Sequence, residues 1–383
     1  MARAWLFAAI FALVGCAARA PDRVAVAPTS PGAPRAPTVL LPPSAPVAMP
    51  SVDDVQRLGR DEKRLALPAG RSIVEVAIAP HRHVSILVTG RPDALLGFDV
   101  IGPPALLPLR ARAHDEDGLL PRALSFRAPA GADAITLLVD VHTPIEIARA
   151  MTPIPDASAL FAPLPPGRLR PKAPKDAPPL ALIGLPVPAS RDEGYTLLSP
   201  GRYHFMRVDA AEILLFALKQ TRRRFRRDPV GIADISQWDG RRPASDLDAP
   251  RHLSHAGGRD VDVAFPASAD EPSTVRPHCS GVLLKPEWYV CHPGSARGLD
   301  AMRLAYLMGL LFDGPPKGAI ERVFMDDVYI QEMRGAAKVL KERRWIKDAG
   351  FEGLFDDRVV RASPWHVDHF HVRFTGGRAQ PIW

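Results

Sequence analysis

The sequence predicts an α+β fold in two parts: a small all-β, sandwich-like domain, then a domain of helices on a small antiparallel sheet. Three observations lead there. Residues 66–152 hold runs that alternate apolar and polar side chains with period two, the mark of half-buried strands. Beyond residue 189, three segments repeat apolar residues at the spacing of one helix face. The 42 prolines of this 383-residue chain cluster ahead of and between these parts, which marks linkers. The length permits two ordinary cores.

In chain order, the N-terminus reads as a targeting segment. Arg3 precedes the uncharged stretch Ala4 to Gly15, whose twelve residues are too few to span a bilayer and suit a signal-peptide core. It ends in Leu13-Val14-Gly15-Cys16, which resembles a bacterial lipoprotein processing box, so residues 1–15 are expected to be removed and Cys16 acylated. Cleavage after Ala18-Arg19-Ala20 competes, but Pro21 would then follow the cut. Ala17 is not the aspartate that retains such proteins in the inner membrane. The resemblance therefore implies a periplasmic protein anchored to the outer membrane by its N-terminal lipid. Residues 16–65 read as a Pro/Ala-rich tether, disordered or polyproline-like.

Strand character follows in Ser72 to Ile78, Val84 to Val88 and Ala134 to Val141, so a small antiparallel sandwich of unknown role is expected over 66–152. It shows no constellation that reads as a site. A second Pro-rich linker, 153–188, leads into residues 189–383. A helix is expected from Asp209 to about Arg227. Asp209 is its expected cap, with Glu212 three residues on completing a capping-box-like arrangement. Ile213, Leu214, Phe216, Ala217 and Leu218 supply its apolar face. Two more helices are expected at Gly298 to Phe312 and Val328 to about Arg344.

The chemistry concentrates in two clusters. In Trp365-His366-Val367-Asp368-His369-Phe370-His371, three of the twelve histidines fall within six positions, before a period-two stretch. On a strand, His369 and His371 share one face while Phe370 and Val372 take the other. A pair of polar-face histidines on a half-exposed strand would look the same. Upstream, His252-Leu253-Ser254-His255-Ala256-Gly257-Gly258 runs into Arg259-Asp260-Val261-Asp262. Alternation puts Asp260 and Asp262 on one face, where two carboxylates repel unless a cation lies beside them. His255, Asp262 and His371 together would give two imidazoles and one carboxylate, the protein ligand count of a catalytic zinc whose fourth position is left to water.

The pairing of Ser254-His255-x-x-Gly258-x-Asp260-Val261-Asp262 with Trp365-His366-x-x-His369-x-His371 resembles the penicillin-insensitive murein endopeptidases. These are zinc peptidases related to the lysostaphin-type enzymes, the D-Ala-D-Ala peptidases and the hedgehog fold. The likeness extends to Gly231-Ile232-Ala233-Asp234-Ile235-Ser236 and to Arg322-Val323-Phe324-Met325, and spans about half the chain, from Gly194 onward. Ala256 departs from the family's usual glutamine. The resemblance implies that His255, Asp262 and His371 ligate Zn2+, that His252 lines the site and can touch a metal, and that His366 and His369 are the remaining active-site histidines. No glutamate stands in either motif, so a neutral imidazole is the expected base. The implied reaction is hydrolysis of D-alanyl–meso-diaminopimelate cross-links between peptidoglycan stem peptides by the 189–383 domain. The alternatives are a D-alanyl carboxypeptidase on the same polymer and a non-catalytic zinc-containing module that binds the wall.

Cys279 and Cys291 are expected to form a disulfide in an oxidising envelope; flanking His278 and His292 leave a second zinc site as the alternative. The net charge of +7 favours an anionic neighbourhood, although arginine enrichment from genome composition would give the same figure. The run Arg222-Arg223-Arg224-Phe225-Arg226-Arg227 closes the first helix, where cations complement the helix dipole, and is not read as a nucleic-acid site.

Overall fold

The computed structural model describes residues 55–110, 119–155, 180–268, 272–285, 288–313 and 319–383. Cys16, the signal segment, most of the expected tether and most of the second linker lie outside them. The described residues are mixed α+β and fall in one compact unit, Pro50–Trp383.

Eight strands come first: β1 (Val55–Leu58), β2 (Arg64–Leu67), β3 (Gly70–Ala77), β4 (Arg82–Thr89), β5 (Leu95–Gly102), β6 (Arg122–Arg127), β7 (Ala134–Val141) and β8 (Ile145–Pro153). They form two four-stranded sheets, ordered β1-β3-β7-β5 and β2-β8-β4-β6. In β7 the alternation is strict, with Ile135, Leu137, Val139 and Val141 buried. These meet Val84, Ile86, Leu124 and Ile147 of the other sheet in one apolar core. The β structure starts earlier than expected: β1 lies within the stretch read as tether, β2 begins in it, and β1 pairs in parallel with β3.

The second part contains β9 (Ala181–Gly184), β10 (Tyr195–Leu197), β11 (Phe205–Arg207), helix α1 (Val208–Phe225), β12 (Val230–Ile232) and β13 (Asp260–Ala264). There follow β14 (Val282–Lys285), β15 (Trp288–Cys291), α2 (Ala301–Asp313), β16 (Ile320–Met325), α3 (Asp327–Glu342) and α4 (Asp348–Phe355). The chain continues through β17 (Val360–Ala362), β18 (His369–Phe374) and β19 (Gln380–Pro381). A six-stranded sheet runs β10-β12-β13-β18-β16-β17. Its centre is antiparallel as expected, whereas the edge strands β10 and β17 pair in parallel. The helices cover one face, where Leu214, Leu218, Leu304, Met308, Tyr329 and Met333 join Val261, Val263, Phe370 and Val372 in a second core. Strand β9 lies inside the segment read as linker, because it is needed between β11 and β19 in a three-stranded sheet.

The expected cap of α1 is not formed. Asp209 takes a bidentate bond from Arg207, whose Nε and Nη2 donate at 2.6 and 3.0 Å, and the N-cap position makes no side-chain bond. Glu212 turns instead toward the β module. There it accepts from Arg127 Nη2 at 2.8 and 2.9 Å and from His83 Nε2 at 2.7 Å, with both His83 and Glu212 buried. A buried carboxylate gains more from a guanidinium and an imidazole N–H than from helix amides that water can reach. This joint sits beside a third apolar cluster, in which Leu87, Ala123 and Ala148 of the β module pack on Leu182, Phe205 and Ala379. Trp238 and Trp383 close it, and the Trp383 indole N–H donates to the Trp238 carbonyl at 3.1 Å.

Candidate metal centre

Strand register builds the centre of the site. Strands β13 and β18 pair so that Asp262 faces His371, with Ala264 facing His369 and Asp260 facing Arg373. Period-two alternation sends Val261, Val263, Phe370 and Val372 into the core beneath, which anchors the polar face above it. His255 arrives on the loop ahead of β13, which turns at Gly257 and Gly258 with φ of +72° and +67°. A Cβ at Gly258 would lie 2.6 Å from the backbone nitrogen of Arg207, so the loop reaches this depth only with glycine there. His252 and Trp365 also hold positive φ, 60° and 71°. For a histidine and a tryptophan that conformation is strained.

Three donor atoms stand close to an equilateral triangle. His255 Nε2 is 3.2 Å from Asp262 Oδ1, His371 Nδ1 is 3.0 Å from the same oxygen, and the two imidazole nitrogens are 3.1 Å apart. A tetrahedral zinc with bonds of 2.0–2.1 Å would set its ligands about 3.3 Å from one another. The donor set therefore fits such an ion with little movement. The orientation of each ring is fixed from behind, as metal-ligating histidines require. His255 Nδ1–H donates to the Ile235 carbonyl at 2.8 Å, which leaves Nε2 facing the site. His371 Nε2–H donates to Asp260 Oδ1 at 2.8 Å, which turns Nδ1 inward. His252 stacks on His255 with ring centroids 4.3 Å apart, and its Nδ1 is 3.4 Å from Asp262 Oδ2. His252, His255 and Asp262 thus form a group that could hold a metal ion.

The electrostatics of the protein groups point the same way. Burial would raise the Asp262 carboxyl, but the surrounding His255, His371 and His369 hold it well below the usual carboxylate range. Burial works against a charged His371; hydrogen bonds to Asp260 and Asp262 overcome it and raise that imidazole to about 9. Its proton on Nδ1 stands at the corner a cation would take, so metal uptake here releases protons.

The two remaining histidines flank this triangle and differ in their support. Burial, aided by His369, lowers His366 to about 4. Its Nδ1–H donates to the Pro364 carbonyl at 2.9 Å, leaving the Nε2 lone pair free of that bond. Burial alone would lower His369 too, but Asp368, 2.6 Å from its Nδ1, and Asp262 raise it. Its Nε2 lies 3.6 Å from Asp262 Oδ1, and the rings of His366 and His369 are 5.0 Å apart.

All six residues singled out in the two motifs, His252, His255, Asp262, His366, His369 and His371, are therefore together. Two supporting carboxylates were not foreseen in these roles. Asp234 accepts from His252 Nε2 at 3.0 Å and from Ser199 Oγ at 2.6 Å, while Asp260 holds His371 and accepts from Arg373 Nε at 2.6 Å. The close repetition Asp260-x-Asp262 was the visible sign, but its neighbour proves to be arginine and imidazole. Cys279 and Cys291 are joined in a disulfide, with Cα atoms 5.9 Å apart. Their sulfurs are thereby committed to each other and not to a second metal.

No family model and no curated protein matches this chain. Among solved structures, one match is PliG of Aeromonas hydrophila, a periplasmic lysozyme inhibitor of g-type lysozyme, at 15% identity and a TM-score of 0.18. The match covers 26% of this chain and 98% of that one. So low a TM-score carries no argument about this protein. Among the described residues, no helix is long and apolar enough to cross a membrane.

Proposed function

We propose that this chain is a zinc-dependent peptidase of the penicillin-insensitive murein endopeptidase type, which hydrolyses D-alanyl–meso-diaminopimelate cross-links between peptidoglycan stem peptides. One observation carries the reading: the near-equilateral triangle of His255, Asp262 and His371 donor atoms with two further imidazoles at its side. A metal-binding module needs the triangle but has no use for His366 and His369, each separately oriented by a hydrogen bond. When bound, zinc supplies an acidified water and polarises the scissile carbonyl.

The protein groups do the rest. His366, kept neutral by burial, offers Nε2 as the base that takes a proton from the attacking water. His369, whose imidazole Asp368 and Asp262 raise against the effect of burial, donates Nε2–H toward the oxygen on which negative charge develops. His366 then returns the proton to the leaving amine. Asp234 steadies His252 at the rim through the bond to its Nε2. Acylation of Cys16 would hold the enzyme at the outer membrane, with the Pro-rich stretch as its reach to the wall.

The test is a digest of purified dimeric muropeptides and monomeric pentapeptides by the zinc-loaded protein, read by mass spectrometry. Release of monomers from dimers is expected. Loss of a terminal D-alanine from monomers alone would make it a carboxypeptidase. Binding to sacculi with neither product would make it a wall-binding module.

A further inference from the structure

The loop Ser363–Asp368 carries His366 and leads into His369, yet it belongs to no strand or helix. It is tied to the protein at three points. Ser363 N–H donates to the Met325 carbonyl at 3.0 Å, and Asp326 N–H donates to the His366 carbonyl at 3.1 Å. The Tyr329 hydroxyl donates to the Val367 carbonyl at 2.7 Å. Two of these ties come from residues that are themselves held at the ends of the disulfide-closed segment, by Cys291 and by His278, the residue before Cys279. Asp326 Oδ2 accepts from Cys291 N–H at 2.9 Å, while its Oδ1 caps α3 by accepting from Val328 N–H at 3.1 Å. The Tyr329 hydroxyl accepts from His278 N–H at 2.8 Å and stands 3.4 Å from Cys291 Sγ.

Tyr329 is wholly buried, with its ring 4.2 Å from that of Phe265. A packing role alone would be met by phenylalanine, and a hydroxyl at such depth is tolerated only when its bonds are made. Both are made here, each to backbone. One goes to the loop that bears His366 and leads into His369, and the other to the residue next to Cys279. Burial also raises the phenol, so it remains a neutral donor.

We propose that Tyr329 is a positioning residue for His366 and His369, and that the Cys279–Cys291 disulfide, acting through Tyr329 and Asp326, fixes the loop that carries His366 and leads into His369. The brace links a covalent cross-link outside the metal centre to the rings that would move protons. Only the assignment of acid–base roles to those rings rests on the peptidase reading; the brace itself does not.

The experiment follows amide hydrogen exchange and steady-state kinetics in Tyr329→Phe, and in the wild-type protein before and after reduction of the disulfide with a phosphine reductant, which carries no thiol to bind zinc. Exchange at Ser363 and Asp326 is expected to rise about tenfold in both cases, with metal content unchanged and β7 still protected. On dimeric muropeptides, kcat should fall about 10- to 100-fold with little change in KM, the usual result of misplaced reacting groups. If Tyr329→Phe fails to fold, the reduced wild-type protein carries the test. Unchanged exchange at both amides after reduction would overturn the brace, as would loosening spread evenly through the protein. A wild-type protein with no activity but the expected local change in exchange would sink the peptidase reading and leave the brace standing.

Discussion

Asp260→Asn tests the ligand geometry at its support. Asp260 is fully buried and its Oδ1 accepts from both His371 Nε2 (2.8 Å) and Arg373 Nε (2.6 Å). The carboxylate keeps the His371 proton on Nε2, so that Nδ1 can present its lone pair beside Asp262. Asparagine preserves the volume and one carbonyl acceptor but removes the charge. Arg373, whose side chain is 21% exposed, can turn to water, so the damage should stay local. Loss of such a support weakens metal binding about 10- to 100-fold, equal to about 1.4–2.7 kcal/mol. The loss would be greater if the new amide turned its NH2 toward the ring, because Nδ1 would then have to carry the proton. The assay is zinc affinity by competition with a chelator of known strength, with circular dichroism as the check on folding. An Asp260→Asn protein that is folded and binds zinc as tightly as wild type would refute His371 as a ligand held in this way.

Replacing His369 with Ala should leave zinc bound while lowering the rate on dimeric muropeptides by about two to four orders of magnitude; parallel metal analysis and kinetics check both. Glu212→Ala should destabilise the protein by about 1–3 kcal/mol, because it leaves the buried His83 without its partner, while Arg127, 37% exposed, can turn to water; urea unfolding measures this. Burial opposes ionisation of Glu212, but His83 and Arg127 pull its carboxyl below its ordinary value of 4.5. Its stabilising share is therefore complete above that value and is lost as pH falls through the lower, folded one. Glu212→Gln should accordingly flatten the acid limb of the stability–pH curve, and an unaltered limb would contradict the joint. Cys16→Ser should abolish fractionation with the outer membrane, and a variant that still sediments with membranes at full yield would place the anchor elsewhere.

What the sequence made legible follows from distance along the chain. Asp262 and His371 could be paired on paper because each lies on a period-two stretch whose other face is apolar, and the motif likeness linked the two stretches. Strands β3, β4 and β7 were visible for the same reason. Strand β9 was not, since Ala181-Leu182-Ile183-Gly184 follows a proline-rich stretch and acquires meaning only between β11 and β19. Helix α4 was hidden by Gly350 and Gly353, poor helix formers that its packing against Asp313 and Phe312 requires. Glu212 read as a capping residue because its spacing from Asp209 was right, and no local rule could have revealed His83 and Arg127 across the joint. The supporting roles of Asp234 and Asp260 were opaque in the same way, because their partners are set by tertiary contacts.

The third apolar cluster bears on how the molecule can be dissected. A fragment beginning at residue 189, where proline richness suggests a natural cut, would lack β9 and with it Leu182. It would bare Phe205 to water, leave β11 without its pairing partner, and deprive Glu212 of both its donors. Such a fragment should be prone to aggregate through the unpaired β11 edge. The intact protein should instead melt in a single step across the β module and the part that holds the candidate site, so a substitution that unfolds one would unfold both.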